Sequence, residues 1–367
     1  MFDHPLQILA LIPVAVWLYL LMGRGGFWRA RSILAGDEPE PDRWPPVAAV
    51  IPARNEAPCV IQALGSLLGQ DYPGGLNVIL VDDNSEDGTG GLARQSFAGD
   101  GRLEVIDGAS LEEGWSGKMW AVHQGLKRLE EAHPGARFVL LCDGDIQHGP
   151  DNLRRLVAKA EVESLGLVSL MARLPVVGFW DGLLIPAFVF FFQKLYPFAW
   201  VADAGRATAG AAGGCMLVRR GLLDKVGGVT AIRDAIIDDC ALARLIKPHA
   251  PIWLGLGQAT RGLRPYGGLG DIWRMVTRTA FVQLNYSALL LAGTVLAMLI
   301  IYIAPPAALI HGWVHGAWPM VLAGLLGWGL MILAYGPTLR RYGRNAVHGL
   351  LLPLAALLFT LMTLDAG

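Results

Sequence analysis

Four acidic stations, each at the end of a short apolar run, are the part of this sequence able to do chemistry. VAAVI (47–51) leads into Pro52, Ala53, Arg54, Asn55 and Glu56, and VILV (78–81) leads into Asp82, Asp83, Asn84 and Ser85. FVLLC (138–142) delivers Asp143, Gly144 and Asp145, and an Ile-Ile pair precedes Asp238 and Asp239. Polar groups at the carboxyl ends of parallel strands stand where α/β domains bind ligands. Asp83 at such an end is able to hydrogen-bond a base or ribose, although Asp-Asn-Ser is also ordinary turn chemistry. Asn55 and Glu56 either meet that ligand or cap the next helix. Side chains two apart on an extended chain point the same way, so Asp143 and Asp145 are expected to share one cation. Carboxylate oxygens suit Mg²⁺ or Mn²⁺, which complete their shells with substrate phosphates. Asp239 opens a helix, where a carboxylate is either a favourable partner of the helix dipole or a general base within reach of an acceptor hydroxyl.

These stations need a scaffold, and alternating apolar runs and amphipathic segments supply an α/β one. Buried strands are predicted at 47–51, 78–81, 103–106, 138–142 and 165–170, and helices at 59–68, 88–97, 118–131, 152–163 and 239–246. WSGK (115–118) lacks the full phosphate-loop pattern, which argues against a P-loop ATPase. Cys59, Cys142, Cys215 and Cys240 have no CxxC spacing and read as reduced thiols, and no His spacing suggests a zinc site. A net charge of −1 offers no electrostatic footprint for nucleic acid.

With 53% hydrophobic and only 17% charged residues, the chain is too apolar to be one soluble domain. Residues 1–23 form a predicted transmembrane anchor, and 24–46 a linker that is first basic (Arg24, Arg29, Arg31) and then Pro-rich. Residues 47–285 are the catalytic domain and 286–367 carry three apolar stretches, 288–303, 318–334 and 347–364. The segment 305–317 between the first two has no Lys or Arg and is expected to be an external loop. Arg340, Arg341 and Arg344 put the next loop inside, with the catalytic domain. The aromatic segment 179–200 contains Asp181, Pro186, Lys194 and Pro197, and reads as a membrane-surface helix or, alternatively, a core helix of the domain.

PARNE, VDDNSEDGT, CDGD and IIDDCALA, in this order and spacing, resemble the inverting family 2 glycosyltransferases with a GT-A, Rossmann-like fold. Together with WSGKMWAVHQG, GGCMLVRR, RMVTRTAFVQL and the C-terminal helices, the pattern is similar to the hopene-associated subgroup. The resemblance implies Pro52, Asn55, Glu56, Asp83 and Lys118 near a nucleotide-sugar donor. It also implies Asp143 and Asp145 on diphosphate and metal, and Asp239, with Asp238 as rival, as the base. Arg278 stands where membrane members carry a diphosphate-binding Arg, but the Gln and Trp that usually accompany it are missing, which weakens any inference to a processive synthase. The expected protein is a multi-pass enzyme of the bacterial inner membrane, its catalytic domain cytoplasmic and its acceptor a lipid of the hopanoid or a related pathway. A polysaccharide synthase and an inactive membrane scaffold are the alternatives.

Overall fold

The computed structural model describes residues 3–34, 36 and 38–367. Residues 1 and 2 of the expected anchor, and 35 and 37 of the linker, lie outside the described residues. The chain divides into two compact units.

The unit formed by Arg31–Pro175 and Trp200–Pro265 is α/β. Its sheet has eight strands: β1 (Val47–Ala53), β2 (Leu76–Asp82), β3 (Leu103–Asp107), β4 (Phe138–Leu141), β5 (Ile146–Gln147), β6 (Leu167–Arg173), β7 (Met216–Arg219) and β8 (Ile252–Gly262). Their order is β3-β2-β1-β4-β7-β6-β8-β5. β1 runs parallel to both β2 and β4, whereas β7 is antiparallel to β4 and β6, so the sheet is mixed. β1 and β2 are apolar without alternation because helices cover both faces. Val50, Val78 and Leu80 are fully buried, each stabilising the fold by roughly 1.5–3 kcal/mol. β3, predicted as buried, is only half-buried, because it is the sheet's edge strand.

Helix Val60–Leu68 buries Val60, Ala63, Leu64, Leu67 and Leu68, the single stripe that 3.6-residue periodicity requires. Helix Gly117–Ala132 comes closest to the sheet at Gly125. A Cβ there would lie 2.4 Å from Val50 Cγ1 and 3.0 Å from Val81 Cγ2. This glycine sets the depth at which the helix, and Lys118 in its first turn, sits over β1 and β2.

The second unit comprises Met1–Ala30, Val176–Ala199 and Tyr266–Gly367 and is helical. Among the described residues, five helices are long and apolar enough to cross a membrane: Leu6–Gly23, Phe179–Ala202, Ala288–His315, Trp318–Arg341 and Ala346–Asp365. The external loop expected at 305–317 is instead mostly helix, part of Ala304–His315. Pro305 and Pro306 sit in its first turn, where a missing N–H is tolerated, and a π-helical turn, Leu299–Ile303, leads into it. The loosened backbone there presents the Ile301 carbonyl to the Trp17 indole N–H at 2.8 Å. Helices Ala304–His315 and Trp318–Arg341 meet through Gly324, whose Cβ would strike the Pro305 carbonyl and Leu309 backbone.

Candidate active site

The loops after β1 and β2 are bonded to each other by consecutive amides. Asn55 N–H donates to Ser85 Oγ (3.0 Å), Glu56 N–H to Thr89 Oγ1 (2.8 Å) and Ala57 N–H to Asp87 Oδ2 (2.9 Å). Asn55 returns the bond, its Oδ1 accepting from Glu86 N–H at 2.9 Å, and holds φ at +57°, a left-handed value that Asn tolerates. Asp82 accepts from Ser85 N–H and Gly90 N–H, so it closes the turn and caps the next helix. Asp83 takes no part in this stitching with its side chain. It is 8% exposed and anchored by its N–H to the Ala53 carbonyl (2.8 Å), with Arg54 3.8 Å from its carboxylate. Pro52 is half-buried near the end of β1, paired with Val81 of β2.

β4 ends at Leu141, and Gly144 and Asp145 then form a turn rather than continuing extended. The strand geometry expected for Asp143 and Asp145 is therefore replaced by a turn in which Ile146 N–H bonds the Asp143 carbonyl. Gly144 is tightly placed there, since a Cβ would be 3.3 Å from both Ala53 Cβ and Glu56 Cγ. The turn gathers Glu56, Asp143 and Asp145 into one acidic cluster. Burial, and then the Asp145 charge, push the Glu56 carboxyl up to about 7, against the opposing pull of Arg264. Burial and Asp143 likewise raise Asp145.

Lys118 joins this cluster to the fourth acidic station. Its Nζ lies 2.8 Å from Asp143 Oδ1 and 3.1 Å from Asp238 Oδ2. Burial works to lower its pKa, but Asp143, Asp238 and Asp239 together outweigh it and hold the ammonium above the ordinary lysine value. The preceding Ser116 N–H bonds the Arg233 carbonyl at 2.7 Å, tying this loop to the segment before helix Asp238–Ile246. Asp239 faces the Gly-rich run 210–214: its Oδ2 accepts from Gly213 N–H (2.8 Å) and its Oδ1 from Cys240 N–H (2.6 Å). Burial and the neighbouring Asp238 raise its pKa. Ser169 fixes the same run, accepting from Ala212 N–H at 2.8 Å and donating to the Ala212 carbonyl at 3.1 Å.

Arg264 was not legible as a site residue. Its guanidinium donates to both Glu56 Oε2 and the Asn55 carbonyl at 2.6 Å. Only β8, itself not predicted, brings residue 264 here. Arg278, by contrast, is exposed on helix Leu269–Gln283 of the helical unit, and the hydrogen bonds of the acidic site do not include it. Among the described residues, no group of three or more His, Cys, Asp or Glu side chains is arranged to hold a metal unaided.

A mixed sheet with acidic turns at the carboxyl ends of β1, β2 and β4 defines an α/β domain of the GT-A class. Residues 48–227 match the family model described as Glycosyl transferase family 2, so the chain carries a glycosyltransferase family 2 domain. An N-acetylglucosaminyltransferase of Mesorhizobium japonicum is 33% identical over 135 residues, 36% of this chain and 30% of that protein. One from Rhizobium leguminosarum bv. phaseoli is 39% identical over 120 residues, 32% of this chain and 26% of the relative. The matched segments thus span under a third of these curated relatives. Among solved structures, the mannosyltransferase PcManGT of Pyrobaculum calidifontis, in complex with GDP-Man and Mn2+, shares the fold with a TM-score of 0.58. It is 20% identical, over 97% of this chain and 99% of that one.

Proposed function

We propose that this chain is an inverting glycosyltransferase that moves a sugar from a nucleotide-diphosphate donor to the hydroxyl of a lipid acceptor at the cytoplasmic face of the bacterial inner membrane. The observation that carries this reading is Lys118, held between Asp143 and Asp238 so that one ammonium links a donor-side carboxylate to the acceptor-side acidic pair. Asp83, buried at the end of β2, is positioned to take the base or ribose hydroxyls. Pro52, Asn55 and Glu56 shape the wall of the pocket beside it.

The acidic cluster fits a divalent cation. Glu56 and Asp145 are both raised in part by neighbouring carboxylates, the signature of a set short of positive charge. Asp143 and Asp145 would hold Mg²⁺ or Mn²⁺, with donor phosphates completing the shell, and the ion would neutralise charge on the diphosphate leaving group. On the acceptor side, Asp239 is the base. Asp238 is engaged by the Lys118 ammonium, 3.1 Å from its Oδ2, which ties that carboxylate to the donor side. Asp239 is held by two backbone amides and has its pKa raised, which makes it the better base near neutrality. The acceptor oxygen, losing its proton to Asp239, attacks the anomeric carbon opposite the leaving diphosphate, and the configuration inverts.

The lipid acceptor, in the hopanoid or a related pathway, is supported by the five long apolar helices and by a cavity of about 340 Å³ in the helical unit. Phe179, Leu183, Tyr335, Leu339 and Arg344 line that cavity, a mixture suited to an amphiphile. N-acetylglucosamine, the sugar in the relatives' names, is the first donor sugar to test. Lipid mass spectrometry of strains with and without the gene, paired with transfer assays on the full chain in detergent, tests the proposal. A lipid that loses one sugar mass in the deletion strain is the expected result. An unchanged lipidome, or a product that keeps the donor's anomeric configuration, overturns it.

A further inference from the structure

We infer that Arg264 is an exchangeable cation of the donor site: without donor it holds Glu56 and neutralises the acidic cluster, and with donor it passes to the diphosphate. The inference rests on the donor site proposed above.

The post that carries this side chain is fixed. Leu263 N–H bonds the Asp145 carbonyl at 2.8 Å, and β5 pairs with β8 through Ile146 and Gly262, so the backbone of the DGD turn and that of residue 263 are one ladder. Pro265 follows and restricts the backbone on the other side. The guanidinium itself is open to solvent by comparison. The Arg264 side chain is 49% exposed, whereas the Glu56 carboxylate it holds is 16% exposed. It bonds Glu56 Oε2 and the Asn55 carbonyl through one nitrogen, Nη2, which leaves the rest of its planar fork of donors for another anion.

Charge balance gives the direction of the exchange. Glu56, Asp143 and Asp145 stand together with Arg264 on one side and Lys118 on the other, and Lys118 is shared with Asp238. A divalent cation at Asp143 and Asp145 places like charge beside Arg264 and repels it. A diphosphate arriving with that cation supplies paired oxygens that match a guanidinium fork better than a single carboxylate oxygen and a carbonyl do. Lys118 has no such freedom, because it bridges two carboxylates, Asp143 and Asp238, and its departure would take the ammonium from both.

The test uses the full-length chain in detergent, with Mn²⁺ alone, read by the electron paramagnetic resonance signal of the free ion, and with Mn²⁺ plus inorganic pyrophosphate, read by calorimetry. Arg264→Ala should bind Mn²⁺ alone several-fold more tightly than wild type and lose about 10–100-fold in affinity for pyrophosphate, the range for a hydrogen bond to a charged group. Arg264→Lys keeps the charge without the fork. It should retain the weak wild-type affinity for Mn²⁺ alone and lose part of the pyrophosphate affinity, and thermal melting monitors folding of both variants. Arg264→Ala with both affinities unchanged overturns the inference. So does a parallel loss of both in a folded variant, since Arg264 would then only brace the acidic cluster. Failure of the wild type to bind pyrophosphate with Mn²⁺ would instead sink the donor-site reading itself.

Discussion

Replacing Asp239 by Asn removes basicity while keeping size, and the structure gives both consequences. The carboxylate accepts two backbone N–H groups, Gly213 on one oxygen and Cys240 on the other. An amide has a single carbonyl oxygen, so one of those N–H groups must face an NH₂. Losing one charge-assisted hydrogen bond costs roughly 1.5–3 kcal/mol of stability. Loss of a general base costs about two to four powers of ten in turnover, equivalent to roughly 3–5.5 kcal/mol of barrier. Thermal unfolding reads the first effect, and nucleotide release on addition of acceptor reads the second. Binding of the donor nucleotide should stay near wild type, since Asp239 lies with the Gly-rich run rather than with the β1 and β2 loops. The pH dependence provides a further check. Burial and Asp238 raise the Asp239 pKa from its ordinary 3.8, so kcat/KM should fall with acidification at a pH above that of an unperturbed aspartate. For stability the sign is the opposite: the folded state holds this proton more tightly than the unfolded chain, so Asp239 favours folding most below pH 3.8. That contribution is lost as pH rises through the elevated value. Asp239→Asn should abolish both dependences. Near wild-type turnover by Asp239→Asn, with Asp238→Asn inactive, would move the base to Asp238.

Removing divalent metal with a chelator, or making Asp145→Ala, should stop transfer, and Mn²⁺ should restore only the chelated wild type; near-normal rates in either case would remove the metal from the scheme. Gly125→Ala drives a methyl into Val50 and Val81, and overpacking of this kind costs about 1–3 kcal/mol in denaturant unfolding. It should also lower turnover by lifting Lys118, whereas an unchanged midpoint would show the helix able to shift freely. Alkaline phosphatase fused at Arg344 should be inactive and at His311 active; the reverse pattern would overturn the cytoplasmic placement of the arginine-bearing loop.

The parts of the fold that were legible in the sequence were those with uninterrupted apolar runs. VAAVI and VILV could only be buried strands, and the carboxylates that follow them therefore stand at strand ends. β8 was missed because IWLGLGQATRG carries Gly255, Gly257 and Gly262, residues that weaken a strand unless its neighbours pay for the order. Arg264 was missed with it, since no local motif brings residue 264 to residue 56; only long-range pairing does. Asp143 and Asp145 do meet, but through a turn that Gly144 permits rather than through strand alternation. The helix Ala304–His315 was hidden because the absence of Lys and Arg was the signal used for this segment, and that absence suits a helix as well as a loop; the π-helical turn before it lets the chain run on through Pro305 and Pro306.

The stitching of the loops after β1 and β2 has a consequence for how this site can change. Three amides of one loop, Asn55, Glu56 and Ala57, lean on three side chains of the other, Ser85, Thr89 and Asp87, at positions 30 or more residues away in the chain. Loss of Ser85, Thr89 or Asp87 strands a backbone N–H that no substitution in the first loop can re-partner, so each of these positions must keep an acceptor side chain. Side-chain changes at Glu56 and Ala57 leave their N–H groups in place. Much of what makes VDDNSEDGT recognisable is then service to the backbone of its neighbour, and Asn84, whose side chain turns to Asp83 beside it, has freer room to drift.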